Sequence, residues 1–142
     1  MKSTATAVWN GGLKDGKGNL TGGTGAFSGL AYDFGKRFEG ANTPGTTPEE
    51  LIAAAHAGCY AMALSGGINA AGFTPTSITA KATVTLDRVE NVPTVTTSHI
   101  EVTAVVPGMD AAKFAEVATA TKGGCPISRL LTAAISLDAK LA

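Results

Sequence analysis

Thr46-Thr47-Pro48-Glu49-Glu50-Leu51-Ile52-Ala53-Ala54-Ala55-His56-Ala57-Gly58-Cys59-Tyr60-Ala61-Met62 is the stretch whose reading decides the fold. Thr47-Pro48-Glu49-Glu50 has the form of a capping box with proline at the first helical position, so a helix starts there. Nothing stops it decisively before Gly72-Phe73-Thr74-Pro75, and the pattern predicts a helix from Pro48 to about Ala71, loosened at Gly66-Gly67. Ala53, Ala54, Ala55, Ala57, Gly58, Ala61 and Ala63 leave nearly every face of it small. Another helix can approach such a surface closely, so the helix is expected in an interior.

Upstream, residues 1–45 are rich in Gly, Thr and Ser, with alternating runs such as Thr4 to Trp9 punctuated by Gly11-Gly12, Gly22-Gly23 and Gly35. That pattern predicts a β meander. Downstream of the helix segment at 46–72, a hairpin is expected over 76–106. Ser77 to Val89 alternates through Ile78, Ala80, Ala82, Val84 and Leu86, Glu90-Asn91-Val92-Pro93 makes the turn, and a second strand runs from Thr94 to Val106. Residues 110–132 read as two helices, one capped by Asp110 and ending at Gly123-Gly124, the other opened by Cys125-Pro126 and reaching Leu131. A last strand, Ala134 to Leu141, falls in 133–142. Together these make one α+β domain over 1–142.

Eleven basic residues balance eleven acidic ones, and charged residues make up 15% of the 142. There is no electrostatic footprint for nucleic acid or for an anionic membrane. Hydrophobic residues reach 44%, but much of that is alanine and aromatics are only 6%. Alanine fills little volume, so the chain is expected to borrow surface from a second copy as a homodimer. The first ten residues lack the apolar core of a secretory signal, and no window approaches the ~18 apolar residues of a membrane span. A soluble, cytoplasmic protein is expected, in which Cys59 and Cys125 are reactive or metal-bound rather than a permanent staple.

Cys59 is mid-helix, where a cysteine is also what a small buried hydrophobe looks like. It gains little there from its own helix dipole, and a reactive thiolate needs a cation from elsewhere. Cys125, between Gly123-Gly124 and Pro126, sits on a flexed turn at a helix start. A helix-held thiol with a second thiol on a glycine-rich turn is the layout of an attacking and a resolving cysteine. Arg37, in a loop between aromatic residues, is either a solvated charge or the missing cation; Arg88 and Arg129 are rivals, with Arg129 expected on the solvent side of its helix. Glu50 is used by the capping box, which leaves Glu49 free to hold Arg37. Ten residues of helix put Glu49 about 15 Å from Cys59 along the axis, so the two cannot touch. Either Arg37 bridges that reach or the charged pair meets Cys59 across a subunit interface. His56 reads as a packed helix histidine more readily than as a base for Cys59. A zinc site from His56, Cys59, His99 and Cys125 lacks tight ligand spacing.

These residues resemble the OsmC/Ohr family of bacterial thiol peroxidases. The resemblance rests on Thr46 to Ile52, Ala55-His56-Ala57-Gly58-Cys59, Gly72 to Thr76, Val106-Pro107-Gly108 and Gly123-Gly124-Cys125-Pro126-Ile127-Ser128, and runs from about Arg37 to the C-terminus. It implies an OsmC-like intertwined homodimer with curved antiparallel sheets wrapped around two central helices. It also implies hydroperoxide reduction, organic substrates preferred, with recycling by a lipoyl-type dithiol and no metal or other cofactor. By motif, Cys59 resembles the peroxidatic cysteine, Cys125 the resolving one, and Arg37 with Glu49 the activating pair. Phe38, Met62, Ile127 and Leu130 are the expected apolar substrate contacts, and Tyr60, where the family more often has Phe, is expected to alter the pocket lining. The alternative is a non-catalytic redox-sensing or small-molecule-binding module that uses the same two thiols.

Overall fold

In a computed structural model that describes residues 1–142, the chain forms two compact units, Met1–Leu51 and Ile52–Ala142. The first unit opens with β1 (Ala5–Asn10), β2 (Lys17–Gly22) and β3 (Leu30–Asp33), an antiparallel sheet in the order β1-β2-β3. The expected meander is therefore present. Trp9 and Tyr32 pack with ring centroids 5.4 Å apart, facing Gly18 on the strand between them. A Cβ at Gly18 would run into the Tyr32 ring, so only glycine leaves room for this aromatic pair.

Arg37 is not on a loop, as its sequence context suggests, but on a short helix α1 (Phe34–Phe38). The cause is local. Asp33 caps α1 by accepting a 2.7 Å hydrogen bond from the Lys36 N–H, and it also takes a 2.9 Å ion pair from Lys17. Those two partners, the Lys36 N–H first, hold the Asp33 carboxyl below its ordinary range.

The first unit closes on the first turn of α2 (Pro48–Ala70). Thr47 caps it as expected, accepting from the Glu50 N–H at 3.1 Å. The reciprocal half of the box differs: the Glu50 carboxylate takes the Thr46 hydroxyl at 2.5 Å. α2 runs unbroken through Gly66-Gly67 for 23 residues.

In the second unit, α2 is followed by β4 (Ser77–Val89), β5 (Val92–Val105), α3 (Ala111–Gly124), α4 (Pro126–Leu130) and β6 (Ala134–Leu141). Glu90 and Asn91 both adopt positive φ, 50° and 66°, which is what a two-residue turn between twisted antiparallel strands requires. The sheet order is β4-β5-β6, and β6 pairs with β5 in parallel. This corrects the expectation of purely antiparallel sheets. The α3–α4 segment is a crossover that carries the chain back so that β6 enters in the direction of β5.

The core lies in this unit. Ser98, Ile100, Val102 and Ala104 are buried in alternation along β5 and so share one face. Tyr60, Leu64 and Ile68 of α2 are fully buried at four-residue spacing and join Ile100, Val102, Ala104, Phe114, Ala118 and Cys125 in one cluster. Within the single chain α2 is buried along one stripe. By length and composition it is long and apolar enough to cross a membrane, contrary to the sequence expectation. The apolar content that passes that test belongs here to a helix whose Tyr60, Leu64 and Ile68 join the core cluster with β5.

Candidate active site

Cys59 is carried by α2 and Cys125 by the junction of α3 and α4. Their sulfurs are 3.0 Å apart, and both are free thiols. A covalent bond would need about 2.05 Å, so the pair is poised but reduced. Cys125 is fully buried, whereas Cys59 is half-buried. Burial pushes the Cys59 thiol up, and the hydrogen bond shared with Cys125 pushes it the same way, against a smaller opposing effect of the Ile127 N–H. Burial raises Cys125 too. For Cys125 the balance is reversed by the Cys59 thiol, the N–H groups of Ser128 and Ile127 and the Ser128 hydroxyl, which hold it below the ordinary thiol value. The two N–H groups act on the sulfur without closing a cap bond of ordinary length.

His56, one turn before Cys59, is fully buried. Its partners are two side-chain hydroxyls. Nδ1 lies 2.7 Å from the Ser98 hydroxyl on β5, and Nε2 lies 2.8 Å from the Ser128 hydroxyl on α4. Burial lowers its pKa, so the ring is neutral. Ser98 is a signal that sequence reading passed over, because it shares the parity of Ile100, Val102 and Ala104, an apolar face with one polar member. Ser128 had no such signal beyond its place three residues after Cys125.

In the first unit, Arg37 and Glu49 are joined. Nη2 donates to Oε1 at 2.7 Å, and Nε donates to the same oxygen at 3.1 Å and to Oε2 at 3.3 Å. The Glu49 side chain is 11% exposed and that of Arg37 34%, so the carboxylate is the buried partner and the guanidinium keeps an open side. The Phe38 ring centroid is 4.9 Å from the Arg37 Cζ. Arg37 and Phe38 border a groove of about 250 Å³ lined also by Trp9, Leu13, Tyr32, Asp33 and Phe34.

Of the other expected contacts, Ile127 packs against the core, whereas Met62 and Leu130 are 79% and 72% exposed and line no such groove. Tyr60 is no pocket residue either. It is fully buried, with its hydroxyl donating to the Ala118 carbonyl at 2.9 Å. Arg129 is exposed, as expected. His99 lies on β5, bonded to Ser136 at 2.7 Å, and is not gathered with His56 and the cysteines into a metal-ligating group.

Two free thiols in contact are a redox-capable pair, and the comparisons with known proteins supply the family. The model of the family described as OsmC-like protein matches residues 40–140. The chain belongs to the OsmC family. It is 45% identical over 135 residues to Peroxiredoxin OsmC of Escherichia coli (strain K12), covering 95% of this chain and 93% of the relative; Peroxiredoxin OsmC of Shigella flexneri gives the same figures. In fold it is similar to an organic hydroperoxide resistance protein from Elizabethkingia anophelis, with a TM-score of 0.72, 22% identity and coverage of 100% of this chain and 97% of that one. An OsmC-like protein of unknown function from Vibrio cholerae aligns with a TM-score of 0.76 at 13% identity, covering 98% and 99%. At 45% identity over nearly its whole length to a peroxiredoxin of the OsmC family, this chain is a peroxidase.

Proposed function

We propose that this OsmC-family protein reduces organic hydroperoxides to alcohols, hydrogen peroxide less well, with Cys59 as nucleophile and Cys125 as resolving thiol. The observation that carries this reading is the 3.0 Å approach of two free thiols on separate elements. The Cys59 thiolate attacks one peroxide oxygen, the O–O bond breaks, and with one proton taken up the products are an alcohol and the Cys59 sulfenic acid. Cys125 then displaces the sulfenic hydroxyl, forming the disulfide and releasing water. A dithiol of the lipoyl type returns two electrons and two protons, so sulfur carries the whole cycle without a metal or other cofactor.

Burial and Cys125 raise the Cys59 pKa, so the nucleophile needs a cation to be thiolate at neutral pH. Arg37 is that cation in our reading, oriented by Glu49 through hydrogen bonds that leave part of the guanidinium open to a thiolate and a peroxide oxygen. The groove of Trp9, Leu13, Tyr32, Phe34 and Phe38 takes the alkyl group, which favours organic peroxides over hydrogen peroxide.

The chain acts as a homodimer. α2 is a 23-residue apolar helix with most of its surface uncovered, and Met62 and Leu130 stand open near the two cysteines. A second copy covers them, and across that interface Arg37 and Glu49 of one subunit meet Cys59 of the other, the two units of each chain serving one domain. Recycling by a dithiol suits the reducing cytoplasm. Steady-state turnover of tert-butyl hydroperoxide with dihydrolipoamide, beside hydrogen peroxide, tests the reading. Many turnovers are expected, fastest with the organic peroxide. One stoichiometric oxidation without turnover would make the chain a redox sensor instead.

A further inference from the structure

His56 and Ser128 stand in mirrored places about the two sulfurs. His56 precedes Cys59 by three residues on α2, and Ser128 follows Cys125 by three residues on α4. Residues three apart on a helix are neighbours on one face, so the 2.8 Å bond between His56 Nε2 and the Ser128 hydroxyl ties α2 to α4 one turn from each sulfur. Cys125 moves with α4, because it is the N-cap residue and its carbonyl accepts from the Arg129 N–H at 3.0 Å. Five residues are too few for a helix to hold its place by propensity, so α4 depends on what it touches. Ser128 is its one buried residue; Ile127 packs partly buried against the core, and Leu130 is 72% exposed. The main anchor of this helix is therefore polar. His56 is fully buried, and its other nitrogen, Nδ1, lies 2.7 Å from the Ser98 hydroxyl on β5, which fixes the ring from the far side. A neutral ring donates from one nitrogen and accepts at the other, and each hydroxyl can do either, so the chain Ser98–His56–Ser128 is satisfied throughout. An apolar pair would fill the same space at less desolvation cost, but it would let the helices slide. A hydrogen bond fixes a distance and a direction. The sulfurs it flanks are 3.0 Å apart and need to close by only about 1 Å to form a disulfide.

We infer that the Ser98–His56–Ser128 chain sets the approach of Cys125 to Cys59, and with it how readily Cys125 captures the oxidised Cys59 and how stable the disulfide is. The inference rests on the Cys59–Cys125 disulfide of the proposed cycle. In the step it serves, the Cys125 sulfur bonds to the Cys59 sulfur, the S–O bond of the sulfenic acid breaks, and the Cys125 proton leaves with the hydroxyl as water. The competing step is attack of the sulfenic sulfur on a second hydroperoxide. There a second S–O bond forms, the O–O bond breaks, and the products are the Cys59 sulfinic acid and an alcohol. Disulfide formation within one molecule gains from every restriction that keeps the two sulfurs in place, whereas attack on a free peroxide does not. Holding α4 against α2 therefore favours the disulfide over the sulfinic acid. His56, Ser128 and Ser98 act through the elements that carry the sulfurs, as positioning residues.

The test equilibrates the folded protein with glutathione buffers, which needs no peroxide chemistry, and reads the fraction of Cys59–Cys125 disulfide. Ser128→Ala and His56→Leu each leave a buried polar group without its partner, and should lower the equilibrium constant for the disulfide about tenfold, raising the potential of this two-electron couple by about 30 mV. Ser128→Thr, which keeps the hydroxyl, and His56→Gln, which keeps a donor and an acceptor, should recover most of the loss. Because the effect comes from geometry, the shift should be the same at pH 6.5 and at pH 8.5. Ser136→Ala, which takes a hydroxyl from the less buried His99, should leave the potential where it is. Under excess tert-butyl hydroperoxide, Ser128→Ala should give several-fold more Cys59 sulfinic acid by mass spectrometry. Ser128→Ala removes a single oxygen and keeps the test open should His56→Leu not fold. A potential unmoved by Ser128→Ala, moved at pH 8.5 alone, or moved as far by Ser136→Ala overturns the inference and leaves the peroxidase reading intact, as does an unchanged sulfinic yield in a variant that turns peroxide over. A shifted potential in a protein that does not consume tert-butyl hydroperoxide would instead sink the peroxidase reading and leave the positioning role standing.

Discussion

In Met1–Leu51 the candidate site groups are a charged pair, Glu49 buried and Arg37 partly open, whereas in Ile52–Ala142 they are thiols, hydroxyls and a neutral imidazole, all buried but Cys59. Arg37 and Glu49 hold each other beside an open apolar groove. Cys125, His56, Ser98 and Ser128 are buried and Cys59 half-buried, with no formal charge on any of them while both thiols are protonated. The contrast follows from the cost of burying ions. A guanidinium keeps part of its hydration at a rim, while hydroxyls, thiols and a neutral imidazole can go inside if each finds a partner. Each arrangement follows from the same rule, that a buried polar group needs a partner.

Cysteine substitutions break that comparison most severely. Cys59→Ser should reduce peroxide consumption to background, while Cys125→Ser should permit one turnover and leave a sulfenic acid that dimedone traps; full activity in Cys59→Ser would end the peroxidase reading. The next largest effect is expected at the charged pair. Arg37→Ala should lower turnover by one to two orders of magnitude and raise the pKa of Cys59 read from alkylation rate against pH. An unchanged profile would remove Arg37 from the mechanism.

The neutral side of the comparison makes a pH prediction. His56 has a lowered pKa in the folded protein, so between that value and the unfolded one, about 6.5, the unfolded chain binds more protons. This contribution to stability is complete above about 6.5 and lost as pH falls through the folded value. Urea midpoints should drop on going from pH 7.5 toward 5.5, and His56→Gln should flatten that part of the dependence. An equal slope in the variant would assign the loss to other groups. The smallest effect is expected for Tyr60→Phe. It removes one buried hydrogen bond to Ala118 and should cost about 1 kcal/mol in denaturant unfolding with little change in turnover. A large loss of activity would return Tyr60 to the pocket from which the structure removes it.

Much of this was legible before any coordinates. The capping box at Thr47 and the alternation in Ser77–Val89 are short-range patterns that reappear where the spacing puts them, and the turn after Val89 reappears as the two residues Glu90-Asn91, with Val92 and Pro93 already in β5. Arg37 with Glu49 was legible as a pairing of a cation with whichever of two adjacent glutamates the capping box left unassigned. The helix that carries Arg37 was missed because five residues give too weak a periodic signal, and its cap is shared between Lys36 and Lys17. Met62 and Leu130, singled out by hydrophobicity alone, are exposed in the single chain, and hydrophobicity by itself does not say what covers such a residue.

The sequence by itself determined the family, the order of every element but α1, and the four residues proposed for peroxide chemistry, because local patterns and motif spacing survive in one dimension. Only the tertiary structure decided which groups meet. The 3.0 Å approach of Cys59 to Cys125, 66 residues apart, and the seating of His56 between Ser98 and Ser128, 42 and 72 residues away, depend on how α2, β5 and α4 pack. No local pattern encodes such contacts, since burial against distant elements fixes a side chain's partners.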